Sequence, residues 1–423
     1  MMSMSILKNG SVVATMLSQH STSGINQVSW EGDKILLIGS VFANRGDQAM
    51  TFTAVDQLSQ RFPKKEIMLL TTHPEQILNP SKYKFEVFSL DPGLRAQSLN
   101  SIGRISGLMT PDSFDIFDQI WKDAAFAVDI NGYVLSSQTG IDDTLSYILT
   151  LMVANKYGVP YYILPQSIGP FDFNWFEHTL VDPMLRKYIE MPQLIFPREE
   201  HGVEAMKAYT DRHTEQSPDI VLQHPEYDID NIFINPPDIE VPQINERTVG
   251  IIPNGRVFQR VDKEEMLNIY SRIGEKLKAL GYEITVLAHT TGDSRWCEEV
   301  HDAIGFGEIL ENAYNAIELE QIIEQFEFII GSRYHSVIHA YKHAVPAVVI
   351  GWAVKYEELL QRFEQSTYHF DCRTRFDESI IYDSIEQLSA RLNQEKAVIR
   401  SIRDEIQQTP VFDKLESDIT SNT

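Results

Sequence analysis

Short apolar runs, each closed by polar or glycine residues, punctuate the chain at Asp33–Gly39, Glu66–Leu70, Phe126–Ile130, Tyr161–Leu164 and Leu194–Phe196. They are too short for helices and apolar at successive positions, which is the pattern of strands buried on both faces of a parallel sheet. The segments between several of them are long and periodic enough for helices, the first expected from about Gln48. This alternation predicts an α/β parallel sheet. It restarts at Val249–Ile252 and continues through Glu283–Leu287, Phe326–Ile330 and Ala347–Ile350, so a second sheet is expected.

Between the two series, Pro236, Pro237 and Pro242 interrupt any helix or central strand and mark 236–247 as a linker. The expected layout is a loosely held extension over 1–30, a first domain over 31–235, and a second over 248–383. A long amphipathic helix is expected at 384–408, placed to bridge the domains, and Thr409-Pro410 then opens a polar tail over 409–423. No repeat of 20 to 50 residues marks a solenoid. With two open α/β sheets, the cleft between them is the expected site.

Size and charge narrow the function. The chain has 423 residues, more than one core usually organises, and 43% of them are hydrophobic, so neither a disulfide-stapled scaffold nor global disorder fits. The net charge of -24 repels polyphosphate backbones and argues against a nucleic-acid partner. Cys297 and Cys372 alone suit a reducing cytosol and build no cysteine metal cluster, and a cytoplasmic protein is expected. The first residues lack the continuous apolar stretch of a signal peptide, and no segment approaches the ~20 apolar residues that span a bilayer. Peripheral membrane association and a homo-oligomer remain compatible with the sequence.

The most informative segment runs from Phe326 to Gly351 and reads as strand, tight turn, helix and second strand. Gly331 would allow the turn and Ser332 would cap the helix. Arg333 and His335 then stand at a helix mouth, where free backbone N–H groups and the helix dipole favour an anion and an arginine fork can grip a carboxylate or phosphate. A structural ion pair for Arg333 and a packing role for His335 are the plainer alternative. His339 and His343 follow His335 at four-residue steps, a zinc-like spacing, but no coherent metal set is completed and none is expected.

In the first half, Gly39–Ala49 turns out of the first strand on Gly39 and Gly46 and offers Asn44 and Asp47 near a helix start. It is neither a dinucleotide fingerprint nor a P-loop. Asp129–Tyr133, with Asn131 and Gly132, and Leu164–Pro170, with Gln166, are further polar loops after strands, where open α/β sheets place ligands.

Together these pieces resemble the polysaccharide pyruvyl transferase family. The resemblance rests on the Asn44-x-Gly46-Asp47 core, on Pro165–Pro170, on Phe196–Glu200, on Ser217–Asp219, and above all on Gly331–Ser336 with Val345-Pro346 and Gly351. It implies two Rossmann-like domains in a GT-B arrangement, with the first domain on the acceptor side and the second on the donor side. The implied reaction moves pyruvate from phosphoenolpyruvate to sugar hydroxyls as a ketal in cell-surface glycan synthesis. The partners it implies are phosphoenolpyruvate and a sugar or glycan acceptor, free or lipid-linked, and phosphoenolpyruvate is a substrate, so no cofactor is expected. At Asn131-Gly132 the sequence departs from the run of two or three glycines usual in the family, which bears on the acceptor side. The family's Arg-x-His element falls on Arg333 and His335, implying His335 as the acid and Arg333 as the group holding the anionic donor. Arg198 and Arg256, after strands of opposite domains, are candidates to complete that anion pocket alongside Gly331 and Ser332. Two other readings stand beside it: a GT-B nucleotide-sugar glycosyltransferase, and a non-catalytic sugar-binding protein of the same fold.

Overall fold

The computed structural model describes residues 10–22, 24–99, 111–210, 212, 214–310, 314–373 and 378–423. The first sheet comprises β1 (Lys34–Ile38), β2 (Glu66–Thr71), β3 (Glu86–Ser89), β4 (Ala124–Asp129), β5 (Tyr161–Gln166) and β6 (Leu194–Pro197). Its order is β3-β2-β1-β4-β5-β6, all pairs parallel. The second comprises β7 (Thr248–Ile252), β8 (Glu283–Leu287), β9 (Glu308–Leu310), β10 (Phe328–Gly331), β11 (Ala347–Gly351) and β12 (His369–Asp371). Its order, β12-β11-β10-β7-β8-β9, is the same winding repeated, again all parallel. Each sheet reverses direction beside its first strand, and loops leaving the strand ends there face a crevice. These are two Rossmann-like domains set face to face across a cleft.

The central strands are buried because their runs are apolar throughout: β4, β5, β7, β10 and β11 have no exposed position. Residues 234–247 carry neither helix nor strand and join the domains. The helix expected from Gln48 begins earlier, at Arg45, because Asn44 caps it by accepting from the Gly46 N–H at 3.1 Å.

Both ends of the chain correct the sequence reading. Of the loosely held extension, residues 1–9 and 23 lie outside the described residues, but Gly10–Thr22 is a helix with Val12 and Met16 fully buried in the first domain's core. The 409–423 segment is not a polar tail. It forms a helix, Val411–Asn422, whose Val411, Phe412, Leu415 and Ile419 are buried, an apolar stripe at helical spacing. The long helix before it spans Glu378–Ile406. The shorter last helix makes the return to the first domain, where Tyr162 donates to Asp418 at 2.7 Å and Arg61 pairs with Asp413. Among the described residues, no helix is long and apolar enough to cross a membrane.

Candidate active site

The loops at the strand ends bring the two domains into contact. Asn44 bridges to Thr290 beyond β8, the Thr291 N–H donates to Ala43 O at 3.3 Å, and the Ala316 N–H donates to Gln48 Oε1 at 2.7 Å. On the other side of the cleft, Glu358 accepts from the N–H groups of Glu200 and His201 at 2.7 and 3.2 Å. A carboxylate of one domain thus caps the first turn of the Glu200–Lys207 helix of the other.

His335 enters this junction from the first turn of the Tyr334–Lys342 helix. Its ring lies directly on Gly46: a β-carbon there would stand 2.2 Å from both Cγ and Nδ1 of the imidazole. Gly46 was expected to serve a turn, yet its φ is not positive. The residue is glycine because a histidine from the other domain occupies the space of its side chain. The opposite ring nitrogen, Nε2, faces Asp219 Oδ2 at 3.3 Å, an ion-pair distance without hydrogen-bond alignment.

Asp219 is buried and also pairs with Arg198. Against the raising effect of burial, Arg198 and then His335 hold its carboxyl well below the usual range, so it is ionised. Arg198 in turn donates through Nη2 to Gly132 O and, at 3.0 Å, to Ser167 Oγ, while its guanidinium lies 4.9 Å from the Tyr334 ring centroid. Asp47, one helical position past Gly46, lies with Oδ1 3.3 Å from where a β-carbon on Gly132 would stand. Burial raises its carboxyl, opposed first by His335.

Arg333 is committed elsewhere. Its Nε and Nη2 form a two-pronged pair with Asp293 at 2.5 and 2.7 Å, and Nη2 reaches Thr290 Oγ1 at 3.3 Å. Asp293 is buried and further held by the Gly255 N–H at 3.0 Å. The expected fork for a donor anion is therefore already engaged, leaving Nη1. Arg256 stands exposed at the rim, facing Asp143 across the cleft.

Other candidates are engaged within their own domains. Gln166 is fully buried, with Nε2 3.3 Å from both Asp129 Oδ1 and Tyr147 OH. Ser332 does not cap the helix: that position belongs to Arg333, and Ser332 Oγ is buried 3.2 Å from Tyr270 OH. Gly331 ends β10 with no positive φ, so no turn there demands glycine. Asn131 is half-buried and bonded to Asp129 at 2.9 Å. The three histidines do not converge on a metal. His339 is buried beside His289 with ring centroids 5.2 Å apart, and His343 pairs with Glu320 at 2.8 Å.

Sequence reasoning passed over Lys355, in the first turn of the Val354–Arg362 helix after β11. Its ammonium sits 4.7, 4.9 and 5.7 Å from the ring centroids of Tyr133, Tyr334 and Trp352. Burial, then Arg198, pull it down to about 7, with Arg333 adding to this against Glu199 and Asp47. Lys355, Glu199, Ser167 and Tyr133 border a cavity of about 20 Å³ between the domains. A larger groove of about 890 Å³ runs along the edge strand β3, and none of the motif residues lines it.

The family whose profile fits this chain is described as polysaccharide pyruvyl transferase, and it matches residues 44–353. The chain belongs to the polysaccharide pyruvyl transferase family. Its matched stretch begins at the helix cap Asn44 and contains Gly46, Asp47, Arg198, Asp219, Arg333 and His335, so the cluster just described is a property of this pyruvyl transferase family member. No curated protein matches in sequence. Among solved structures, the UDP-GlcNAc 2-epimerase of Neisseria meningitidis bound to UDP-GlcNAc is similar with a TM-score of 0.56 at 11% identity, covering 92% of this chain and 100% of that one. The spinosyn rhamnosyltransferase SpnG complexed with thymidine diphosphate is similar with a TM-score of 0.52 at 11% identity, covering 89% and 97%. The UDP-GlcNAc 2-epimerase of Methanocaldococcus jannaschii has a TM-score of 0.52 at 10% identity, covering 84% and 92%. At such identities the likeness shows the GT-B fold alone.

Proposed function

We propose that this transferase-family member moves pyruvate from phosphoenolpyruvate onto two hydroxyls of a sugar as a ketal. The observation carrying the reading is the seating of His335 on Gly46, which joins the two family motifs across the cleft into one proton-handling group. Nε2 is turned to the ionised Asp219, which orients the ring and stabilises an imidazolium, while the edge bearing Nδ1 borders Gly46.

In this mechanism Nδ1 delivers a proton to the methylene carbon of the donor, making a methyl group and leaving positive charge on the adjacent carbon. A sugar hydroxyl adds there, and its proton passes to Asp47, whose raised carboxyl suits a base, and returns to the imidazole. The carbon–oxygen bond to phosphorus then breaks, phosphate leaving with the electron pair, and a second hydroxyl closes the ketal and gives its proton to the phosphate. Of the two hydroxyl protons lost, one ends on the methyl group and one on phosphate.

No metal or cofactor enters this scheme, and cytoplasmic synthesis of a cell-surface glycan, on a free or lipid-linked acceptor, is the setting it suits. The test is incubation with phosphoenolpyruvate and a panel of glycosides, following phosphate release. Release that depends on glycoside and is lost in His335→Ala is the expected result. Protection against thermal unfolding by a nucleotide sugar, with no effect of phosphoenolpyruvate, would overturn it in favour of glycosyl transfer.

A further inference from the structure

Two neighbouring aromatic side chains of the first domain face solvent: Trp175 is 81% exposed and Phe176 56%. Paired rings left in water mark a surface made to be covered. The local sequence fixes them there. Phe173 is buried in the first domain's core, and Asn174 starts the helix Trp175–Tyr188 with a capping box. Its side chain accepts from the Phe176 and Glu177 N–H groups at 3.0 Å each, while Glu177 accepts from the Asn174 N–H at 3.1 Å. The rings therefore project from a capped first turn, centroids 6.0 Å apart and planes at 79°, and together present a face and a wall.

The pair lies on the site's side of the sheet. It follows β5, whose C-terminal end opens to the cleft, and Pro170, five residues before Trp175, borders the cavity between the domains together with Gln138. Five residues reach at most about 18 Å. Ser137 ties the two loops together: its N–H and hydroxyl both donate to Pro170 O at 2.9 Å, and its Oγ accepts from the Asp172 N–H at 3.0 Å.

We infer that Trp175 and Phe176 form an acceptor platform, holding a sugar of the acceptor beyond the one that reacts, so that the substrate is an oligosaccharide or longer glycan. The inference rests on the pyruvyl-transfer reading. The C–H face of a sugar ring carries partial positive charge and meets the negative face of an aromatic ring, while its hydroxyls need polar partners. Asp172, exposed and three residues before Trp175, has a carboxylate that accepts no hydrogen bond among the described residues and is free to take such hydroxyls. The acidic neighbours Asp172 and Glu177, in a chain of net charge -24, weigh against the other use of exposed tryptophan, insertion into an anionic bilayer surface.

The test compares acceptors of different length. Defined tetrasaccharides, each paired with the methyl glycoside of its terminal sugar, are assayed for phosphate release from phosphoenolpyruvate. The proteins are the wild-type chain, the double variant Trp175→Ala with Phe176→Ala, and Trp175→Tyr. The wild type should favour a tetrasaccharide in kcat/KM, and the double variant should lose about 10-fold or more of that preference. The loss should fall on KM and not on kcat, because the rings touch no reacting atom. Trp175→Tyr, which keeps a ring, should recover part of it. A wild type indifferent to length, or a preference unchanged in the double variant, would overturn the platform and leave pyruvyl transfer standing. Absence of phosphate release with every glycoside would remove both. Sedimentation with vesicles of equimolar phosphatidylcholine and phosphatidylglycerol, lost in the double variant, would assign the rings to a membrane instead. Because both rings are exposed, melting temperatures should not fall in either variant.

Discussion

Gly46→Ala is the sharpest test of how the site is assembled, because it adds one methyl group and changes no charge. The methyl would stand 2.2 Å from Cγ and Nδ1 of His335 and 2.6 Å from its Cβ. An ordinary carbon contact is about 3.5 Å, so the imidazole must recede by about 1.3 Å or the domains must part. Overpacking of this kind costs about 1–3 kcal/mol of stability. A displacement of about 1 Å in a reacting group is sufficient for a roughly 10²-fold loss of rate, and here the methyl also covers the ring edge carrying Nδ1. The assay is steady-state phosphate release with thermal melting of Gly46→Ala, His335→Ala and the double variant. Turnover should fall about 10²-fold in Gly46→Ala, and the stability cost should shrink once His335 is alanine, which removes the ring contacts at 2.2 Å and leaves only the Cβ contact at 2.6 Å. Turnover within about twofold of wild type, or an equal stability cost in the His335→Ala background, would refute the close approach of glycine and histidine.

Further outcomes follow from the same geometry. Asp219→Asn leaves Arg198 buried without its counter-charge and should destabilise the protein by about 3–5 kcal/mol in urea melts. Because the folded carboxyl is depressed, its stabilisation is present above the unfolded value of about 4 and is lost as pH falls below it, so Asp219→Asn should show a flatter acid limb in pH-dependent melting. For Lys355, lowered to about 7 in the folded chain, the unfolded state binds more protons between about pH 7 and 10.4, so stability rises with pH there; Lys355→Met should abolish that rise. Phe412→Ala, at a fully buried position on the last helix, should cost about 3–5 kcal/mol by calorimetry. Phosphate release should persist in EDTA, and restoration by one divalent ion after complete loss would refute the metal-free scheme.

The central strands were legible because burial on both faces demands continuous apolar runs, as in β4 and β10. The edge strands β3, β9 and β12 were not, since Glu86–Ser89 and Glu308–Leu310 have no buried position and need no such run. The motif around Arg333 and His335 marked the site, but the carboxylate that engages Arg333 lies at Asp293, a partner that only the turn after β8 supplies. Gly46 was visible as a glycine, and its cause was not, because the ring that excludes a side chain belongs to the other domain. The last helix carried its signal in Val411, Phe412, Leu415 and Ile419, a stripe hidden among charged neighbours. Lys355 carried no local signal, since the rings around it come from three separate segments.

The space between Lys355 and Glu199 also bears on how such an enzyme would turn over. About 20 Å³ holds a single water, so a molecule the size of phosphoenolpyruvate does not fit there unless the walls of the cavity move. The contacts that would have to yield form a whole seam: Glu358 on the Glu200 and His201 N–H groups, Gln48 on the Ala316 N–H, the Asn44–Thr290 bridge, the Thr291 N–H on Ala43 O, Tyr227 OH on Glu320, the His335–Asp219 pair, and an apolar core that runs through both domains. A neutral hydrogen bond contributes about 0.5–1.5 kcal/mol net and one to the Glu358 carboxylate about 1.5–3, and the shared apolar core adds to both, so separation is opposed by the seam as a whole and not by any one bond. The Val411–Asn422 helix, held to the first domain by Phe412 and by Tyr162 through Asp418, need not move with the second. The seating of His335 on Gly46 requires the domains to be together, whereas the Arg333–Asp293 pair lies within the second domain and persists when they part. Bringing the domains together would then complete the proton-transfer group, and water would be excluded as the group forms.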